Sequence, residues 1–137
     1  MSSHKEDELS NIQCIVLIDD NDADNYFHEI TIRRAGFDGE IVVVENGIDA
    51  LRYFETANLE RPTLIFLDIN MPGMSGFDVA ERAAPMLEHR QSIVVMMLTS
   101  SSSPADEQRA NSIKLIRGFI TKPLTVEGIS GLLEKRL

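Results

Sequence analysis

The chain has 137 residues, 43% of them hydrophobic, which is the size and composition of one globular domain with a substantial core. Its formal net charge of -9 argues against a direct role on nucleic acid or an anionic membrane, so we predict that its partners are proteins. No segment has the apolar length of a signal peptide or a membrane span, which predicts a cytoplasmic protein. We expect a polar tail over residues 1–11 and a single domain over residues 12–137.

Five short apolar runs, rich in Val and Ile, predict the strands of a sheet. They span residues 14–18, 41–44, 64–67, 93–98 and 117–120. The single cysteine, Cys14, lies in the first run and is predicted to be a small buried hydrophobe rather than a reactive thiol. Segments with helical spacing separate the runs, and the first of them carries Ala23, Phe27 and Ile30. This alternation predicts an α/β fold with a parallel sheet and helices on both faces, because each parallel neighbour needs a crossover.

Residues typical of helix ends agree with this alternation of strands and helices. Residues that fit the ends of predicted helices are Gly36 after the first, Asn46 before the second, Ser103 and Pro104 before the fourth, and Thr125 before the last. Pro85 is predicted to end or kink the third helix, because it lacks the amide hydrogen that a helix interior uses. His28 fits no metal-ligand spacing and is interpreted as a surface or helix residue.

Polar residues stand where the predicted strands end. Asp19 and Asp20 end the first run, Asp68 the third and Thr99 the fourth, while Lys122 follows the fifth. Ligands of such sheets bind outside the carboxyl ends of the strands, so these side chains are predicted to form one site. Each of them alone also fits an ordinary role, such as a helix cap or a turn residue. Their joint occurrence favours a site.

The turn after Asp68 contains Pro72, Gly73 and Gly76, which would let the chain swing away and leave the carboxylate uncovered. Glu45 ends the second run but is left out of the site, because its strand is expected at the edge of the sheet.

Three carboxylates in one place repel one another unless a cation lies among them. A hard divalent ion such as Mg²⁺ suits this set, with Asp20 and Asp68 as direct ligands and Asp19 holding a water. A carboxylate can also act as a nucleophile and form an aspartyl phosphate. Lys122 would then offset charge on the phosphoryl oxygens and the Thr99 hydroxyl would donate a hydrogen bond to one of them.

Four segments of the chain resemble the signature segments of response-regulator receiver domains, in the usual order and at the usual separations. They are "VLIDDND", "LIFLDINMPGMSGFD", "VVMMLTSS" and "GFITKPL". The resemblance covers nearly the whole chain and implies a flavodoxin-like fold with the strand order 2-1-3-4-5.

The resemblance also implies roles for the residues that match. Asp68 would be the phosphoacceptor, and Thr99 and Lys122 would contact the phosphoryl group. The implied Mg²⁺ ligands are the acidic pair Asp19 and Asp20, together with Asp68 and the backbone carbonyl of Asn70. The phosphoryl group would come from a phosphohistidine on a histidine kinase or a histidine phosphotransfer protein.

Phe119 matches the switch aromatic of the same family, although a core phenylalanine is its ordinary interpretation. The implied switch moves Thr99 toward the phosphoryl group and lets Phe119 turn inward, which changes the surface of the fourth helix, fifth strand and fifth helix. Pro123 matches a proline whose peptide bond is often cis in the family, although a trans bond in a turn is the ordinary expectation. Asn70 and Ser101 flank the acceptor at positions where the family tunes the lifetime of the acyl phosphate. The segment "NSIKLIRGFI" lacks the small alanine and glycine pair that many receivers carry before the fifth strand.

We therefore expect a single-domain response regulator without an output domain, which catalyses only its own phosphorylation and dephosphorylation. Two modes of action stay open: binding of a downstream protein, or service as a phosphate shuttle or sink in a phosphorelay. The expected oligomeric state is a monomer or a weak phosphorylation-dependent dimer. An aspartyl-phosphate phosphohydrolase of the haloacid-dehalogenase type is disfavoured, because its nucleophile ends the first strand in a D-x-D motif. Here "DIN" ends the third strand.

Overall fold

A computed structural model of the protein describes residues 11–100 and 103–134, in which five parallel strands alternate with five helices. The strands are β1 (Cys14–Ile18), β2 (Glu40–Val44), β3 (Thr63–Asp68), β4 (Ile93–Thr99) and β5 (Ile116–Thr121). The helices are α1 (Asp22–Arg34), α2 (Gly47–Thr56), α3 (Gly76–Leu87), α4 (Pro104–Ser112) and α5 (Val126–Glu134). The sheet has the order β2-β1-β3-β4-β5, which confirms the predicted fold class and strand order.

The sheet is covered on both faces, and its central strands are fully buried. Every residue of β1 and β3 is buried, as expected for parallel strands that read as continuous apolar runs. Cys14, Val16 and Ile18 face one core, to which α2, α3 and α4 contribute, whereas Ile15 and Leu17 face the other, to which α1 and α5 contribute. Cys14 is 0% exposed, which confirms its predicted burial.

The first helix is capped at both ends. The side chain of Asn21 accepts a hydrogen bond from the backbone N–H of Asp24 at the start of α1. At its other end Gly36 adopts φ 97, and the N–H of Phe37 donates to the carbonyl of Ile32. A left-handed residue that closes a helix in this way is tolerated best as glycine, so the predicted end at Gly36 is confirmed.

The side of α1 that packs against the protein is not the one marked by its apolar residues. Ala23, Phe27 and Ile30 are all exposed, Phe27 at 50%. The buried side includes Ile32 and His28, which is only 2% exposed. The interpretation of His28 as a helix residue is correct, but a surface position is wrong. Spacing predicted a helix, and packing against the sheet selected which of its sides is buried.

The remaining helix ends mostly follow the sequence. Side chains of Asn46, Ser103 and Thr125 accept hydrogen bonds from backbone N–H groups three residues later, as capping residues do. Pro85, however, does not end α3, which continues to Leu87. Only the last part of the helix follows Pro85, and the N–H of Glu88 still donates to the carbonyl of Ala84 across it. Among the residues that the structure describes, no helix is long and apolar enough to cross a bilayer.

Candidate functional site

The predicted acidic residues meet at the carboxyl edge of the sheet. Ile18 of β1 pairs with Leu67 of β3, so the parallel strands end side by side, and Asp19 and Asp20 come out next to Asp68. One carboxylate oxygen from each of these three aspartates lies within 4.8 Å of the other two. Asp19 is 2% and Asp68 4% exposed, whereas Asp20 faces solvent. The cluster is therefore buried at Asp19 and Asp68 and open to solvent at Asp20.

Lys122 lies against this cluster. Its Nζ is 2.7 Å from Oδ2 of Asp19 and 3.1 Å from Oδ1 of Asp68. The backbone places it there, because the N–H of Lys122 donates to the carbonyl of Thr99 at 2.7 Å, directly after the last paired residues of β4 and β5. Thr99 itself is fully buried at the end of β4. The peptide bond between Lys122 and Pro123 is cis.

The turn that follows β3 is built around glycines. Gly73 has φ 82, a left-handed conformation that disfavours other residues. The N–H of Gly76 donates to the carbonyl of Ile69, and a β-carbon at Gly76 would collide with the backbone carbonyl of Asp68. The chain therefore turns tightly behind Asp68, and Asn70 in this turn is exposed.

Burial and charge shift the protonation of the site. Burial raises the pKa of Asp68 to about 6, helped by the negative charges of Asp19 and Asp20 and opposed by the hydrogen bond and charge of Lys122. Burial by itself would lower the pKa of Lys122, but its carboxylate partners outweigh this and raise the pKa above its ordinary value. Lys122 therefore stays a cation, whereas Asp68 is fully ionised only when the pH is well above 6.

Sequence reasoning missed one residue of the site, Asp24 on the first turn of α1. Its Oδ2 is 2.9 Å from Nζ of Lys122, which makes it the third carboxylate on that ammonium. The next residue, Asn25, donates from Nδ2 to the backbone carbonyl of Asp19 at 2.9 Å. The available signal was the position of Asp24 in the first turn of a helix that begins shortly after Asp19 and Asp20.

The other predicted residues lie at or near this edge. Phe119 is half-buried on β5 and lines a surface depression of about 340 Å³ with Glu107, Asn111 and Thr121. Ser101 lies outside the described residues. Glu45 directly follows the edge strand β2, and a hydrogen bond with Asp22 and the charge of that residue raise its pKa.

The segment that enters β5 is anchored in the core. Ile113 is 8% and Leu115 7% exposed, so residues other than a small alanine and glycine pair fill this position. Gly118 of β5 packs against the side chain of Met96, next to an irregularity in the pairing of β4 with β5.

The donor set defines the chemistry that the site supports. Clustered carboxylate oxygens with one open side match the oxygen ligands and partial hydration that Mg²⁺ prefers. The fixed ammonium of Lys122 adds a positive charge next to Asp68, where an anionic group would be bound. A carboxylate between clustered acidic oxygens and a lysine suits phosphoryl transfer, which depends chiefly on positioning and electrostatics.

Comparison with known proteins gives a consistent result. The family model described as the response regulator receiver domain matches residues 15–134. The chain is 30% identical over 124 residues to the Probable methanogenesis regulatory protein FilR2 of Methanothrix harundinacea, covering 88% of this chain and 79% of that protein. It is 26% identical to Response regulator Rcp1 of Synechocystis sp., covering 85% and 80% respectively. A solved two component response regulator from Cytophaga hutchinsonii is similar with a TM-score of 0.77 and 28% identity, over 89% of this chain and 94% of that one.

Proposed function

The chain belongs to the response-regulator receiver family, which signals through phosphoaspartate, and we propose that it takes a phosphoryl group onto Asp68 and thereby changes its surface for a protein partner. One observation carries this proposal: Asp19, Asp20 and Asp68 meet at the carboxyl edge of the sheet with Lys122 in contact. The proposed reactions are the phosphorylation and dephosphorylation of Asp68 itself.

We assign the Mg²⁺ site to the carboxylates of Asp19, Asp20 and Asp68, with the backbone carbonyl of Asn70 as a further ligand. When bound, Mg²⁺ would offset negative charge on the phosphoryl oxygens. The observation in support is the donor set, because one oxygen from each aspartate lies within 4.8 Å of the others. The exposure of Asp20 and Asn70 gives this set its open side.

The phosphoryl donor is proposed to be a phosphohistidine of a histidine kinase or a histidine phosphotransfer protein. A carboxylate oxygen of Asp68 attacks the phosphorus of a phosphohistidine whose other ring nitrogen is protonated. The P–N bond breaks, its electron pair stays on the leaving nitrogen, and the imidazole leaves neutral with that proton still on its other nitrogen. Hydrolysis reverses the modification: water attacks the phosphorus, the P–O bond to Asp68 breaks, and inorganic phosphate leaves. Lys122 contributes positive charge and Thr99 a hydroxyl donor to the phosphoryl oxygens.

The output is proposed to be a change in the surface formed by α4, β5 and α5. Phe119 is half-buried beside a depression, and its partner on the neighbouring strand β4 is Met97. Thr99 is buried two residues after Met97 on that strand. A shift of Thr99 toward the phosphoryl group would free space for the Phe119 ring, which makes a two-state element biased by charge. NMR of the Phe119 ring protons with and without beryllofluoride tests this, and an unchanged ring environment would reject it.

The first experiment is phosphorylation by a small donor. The protein is incubated with acetyl phosphate and Mg²⁺, and intact mass is measured for the wild type, for Asp68→Asn and for Asp38→Asn, an exposed acid used as a matched control. We expect one added phosphoryl group on the wild type and on Asp38→Asn, and none on Asp68→Asn or without Mg²⁺. Modification of Asp68→Asn to the wild-type extent would overturn the assignment of the acceptor.

A further inference from the structure

We propose that Asp24 is a positioning residue that competes with the phosphoryl group for Lys122 and so limits how tightly the phosphorylated state is held. The inference rests on the proposed function of Asp68 and Lys122. It concerns a residue of α1 that lies outside the metal cluster.

The donors of Lys122 are fully used in the structure. An ammonium group has three N–H donors, and the Nζ of Lys122 contacts three carboxylates. The distances are 2.7 Å to Asp19, 2.9 Å to Asp24 and 3.1 Å to Asp68. A phosphoryl oxygen on Asp68 can take over the donor that now contacts Asp68, but the phosphoryl group gains a second hydrogen bond from Lys122 only if Asp19 or Asp24 is released.

The contact with Asp24 is the one that exchanges most readily. The side chain of Asp19 is 3% exposed, so releasing it would leave a buried charge without its partner. The side chain of Asp24 is 40% exposed and regains water when Lys122 leaves it. Asp24 and the phosphoryl oxygens therefore compete for the same donor.

The helix holds Asp24 in this position. Its backbone N–H donates to the capping side chain of Asn21 at 2.9 Å, which fixes the first turn of α1. The adjacent Asn25 ties the same turn to the backbone of Asp19 at 2.9 Å. The Asp24 carboxylate is thus presented to Lys122 by a rigid element rather than by a free loop.

Removing the Asp24 charge should move two affinities in opposite directions. In Asp24→Asn, Lys122 no longer shares a donor with an Asp24 carboxylate, so beryllofluoride at saturating Mg²⁺ should bind about two- to fivefold more tightly, the range of a partly exposed ion pair. Without beryllofluoride, Lys122 turns more fully to Asp19 and Asp68 and opposes a second cation there. The affinity for Mg²⁺ alone should therefore fall by a similar factor.

The matched control is Asp22→Asn, which removes the same charge from the same turn of α1 at an exposed residue that interacts with Glu45. Asp24→Glu should restore both affinities toward the wild-type values. In a Lys122→Gln background, Asp24→Asn should no longer change the affinity for beryllofluoride, since the effect acts through the lysine. In the metal-free protein, the NMR signals of the Lys122 side chain should shift in Asp24→Asn and not in Asp22→Asn.

The outcomes separate this inference from the proposed function. If the wild type binds no beryllofluoride, the proposed function fails and the inference fails with it. If the wild type binds it but Asp24→Asn matches Asp22→Asn, or weakens both affinities together, the inference alone is wrong. A split between the two affinities that disappears without Lys122 would support it.

Discussion

At the scale of single residues, the ionised carboxylate of Asp68 destabilises the metal-free fold, because burial and neighbouring acids raise its pKa to about 6 from 3.8. A raised pKa means that the folded state prefers the protonated form. Protonation of Asp68 therefore stabilises the fold. This contribution to the free energy of unfolding is complete below about pH 4 and is lost as the pH rises through 6. At 1.36 kcal/mol per pKa unit, it amounts to no more than about 3 kcal/mol.

We therefore expect Asp68→Asn to unfold at higher urea than the wild type at pH 7.5 in the presence of a chelator, with an increase in the free energy of unfolding of up to about 3 kcal/mol. The difference should shrink toward pH 4, where Asp68 is protonated, and Mg²⁺ should stabilise the wild type more than the variant. Asp38→Asn serves as the control and should change stability by less than about 0.5 kcal/mol. Equal stability of Asp68→Asn and wild type at pH 7.5 would contradict the raised pKa.

At the scale of elements, α4 is attached to the rest of the protein by few apolar contacts. Ala110 is its buried residue, whereas Arg109 reaches α3, with its guanidinium 4.8 Å from the ring centre of Phe77. The same group lies 3.6 Å from Asp78 and 3.4 Å from Glu81. Arg109 thus joins α4, part of the proposed switch surface, to the helix that begins just after the acceptor turn.

Arg109→Gln should loosen α4 selectively. Losing a cation–π contact and two partly exposed ion pairs should lower the opening free energy of α4 by about 1 kcal/mol. Hydrogen exchange measured by mass spectrometry should show faster exchange in α4 and unchanged exchange in β1 and β3. Arg52→Gln on α2, where the side chain is 76% exposed, is the control. A loss of protection spread over the whole sheet would show instead that Arg109 supports global stability.

At the scale of the whole molecule, the sequence predicted the fold well because parallel strands buried on both faces must be apolar throughout. The runs at residues 14–18 and 64–67 match β1 and β3 to within a residue at each end. The partial burial of β5 at the sheet edge reflects its mixed composition. Strand ends brought Asp19, Asp68 and Lys122 together, because the topology makes those ends adjacent.

The parts that were missed depend on how a helix rotates against the sheet. Asp24 reaches Lys122, and His28 is buried, because α1 turns its more polar side inward and leaves Phe27 exposed. Apolar spacing cannot select this rotation when the buried side of a helix includes polar groups. Burial and the nearby charge of Lys122 lower the pKa of His28, which keeps this imidazole neutral at its buried position.

The burial of Cys14 supplies a reporter of rare opening events. It is the single cysteine of the chain, it is fully buried in β1 between β2 and β3, and burial raises the pKa of its thiol. A thiol reagent should therefore react only in molecules in which the helices that cover Cys14 have moved away from the sheet, or the domain has unfolded. The labelling rate under native conditions would report how often this core opens, without any engineered probe. Labelling as fast as that of a free thiol would contradict the burial of Cys14.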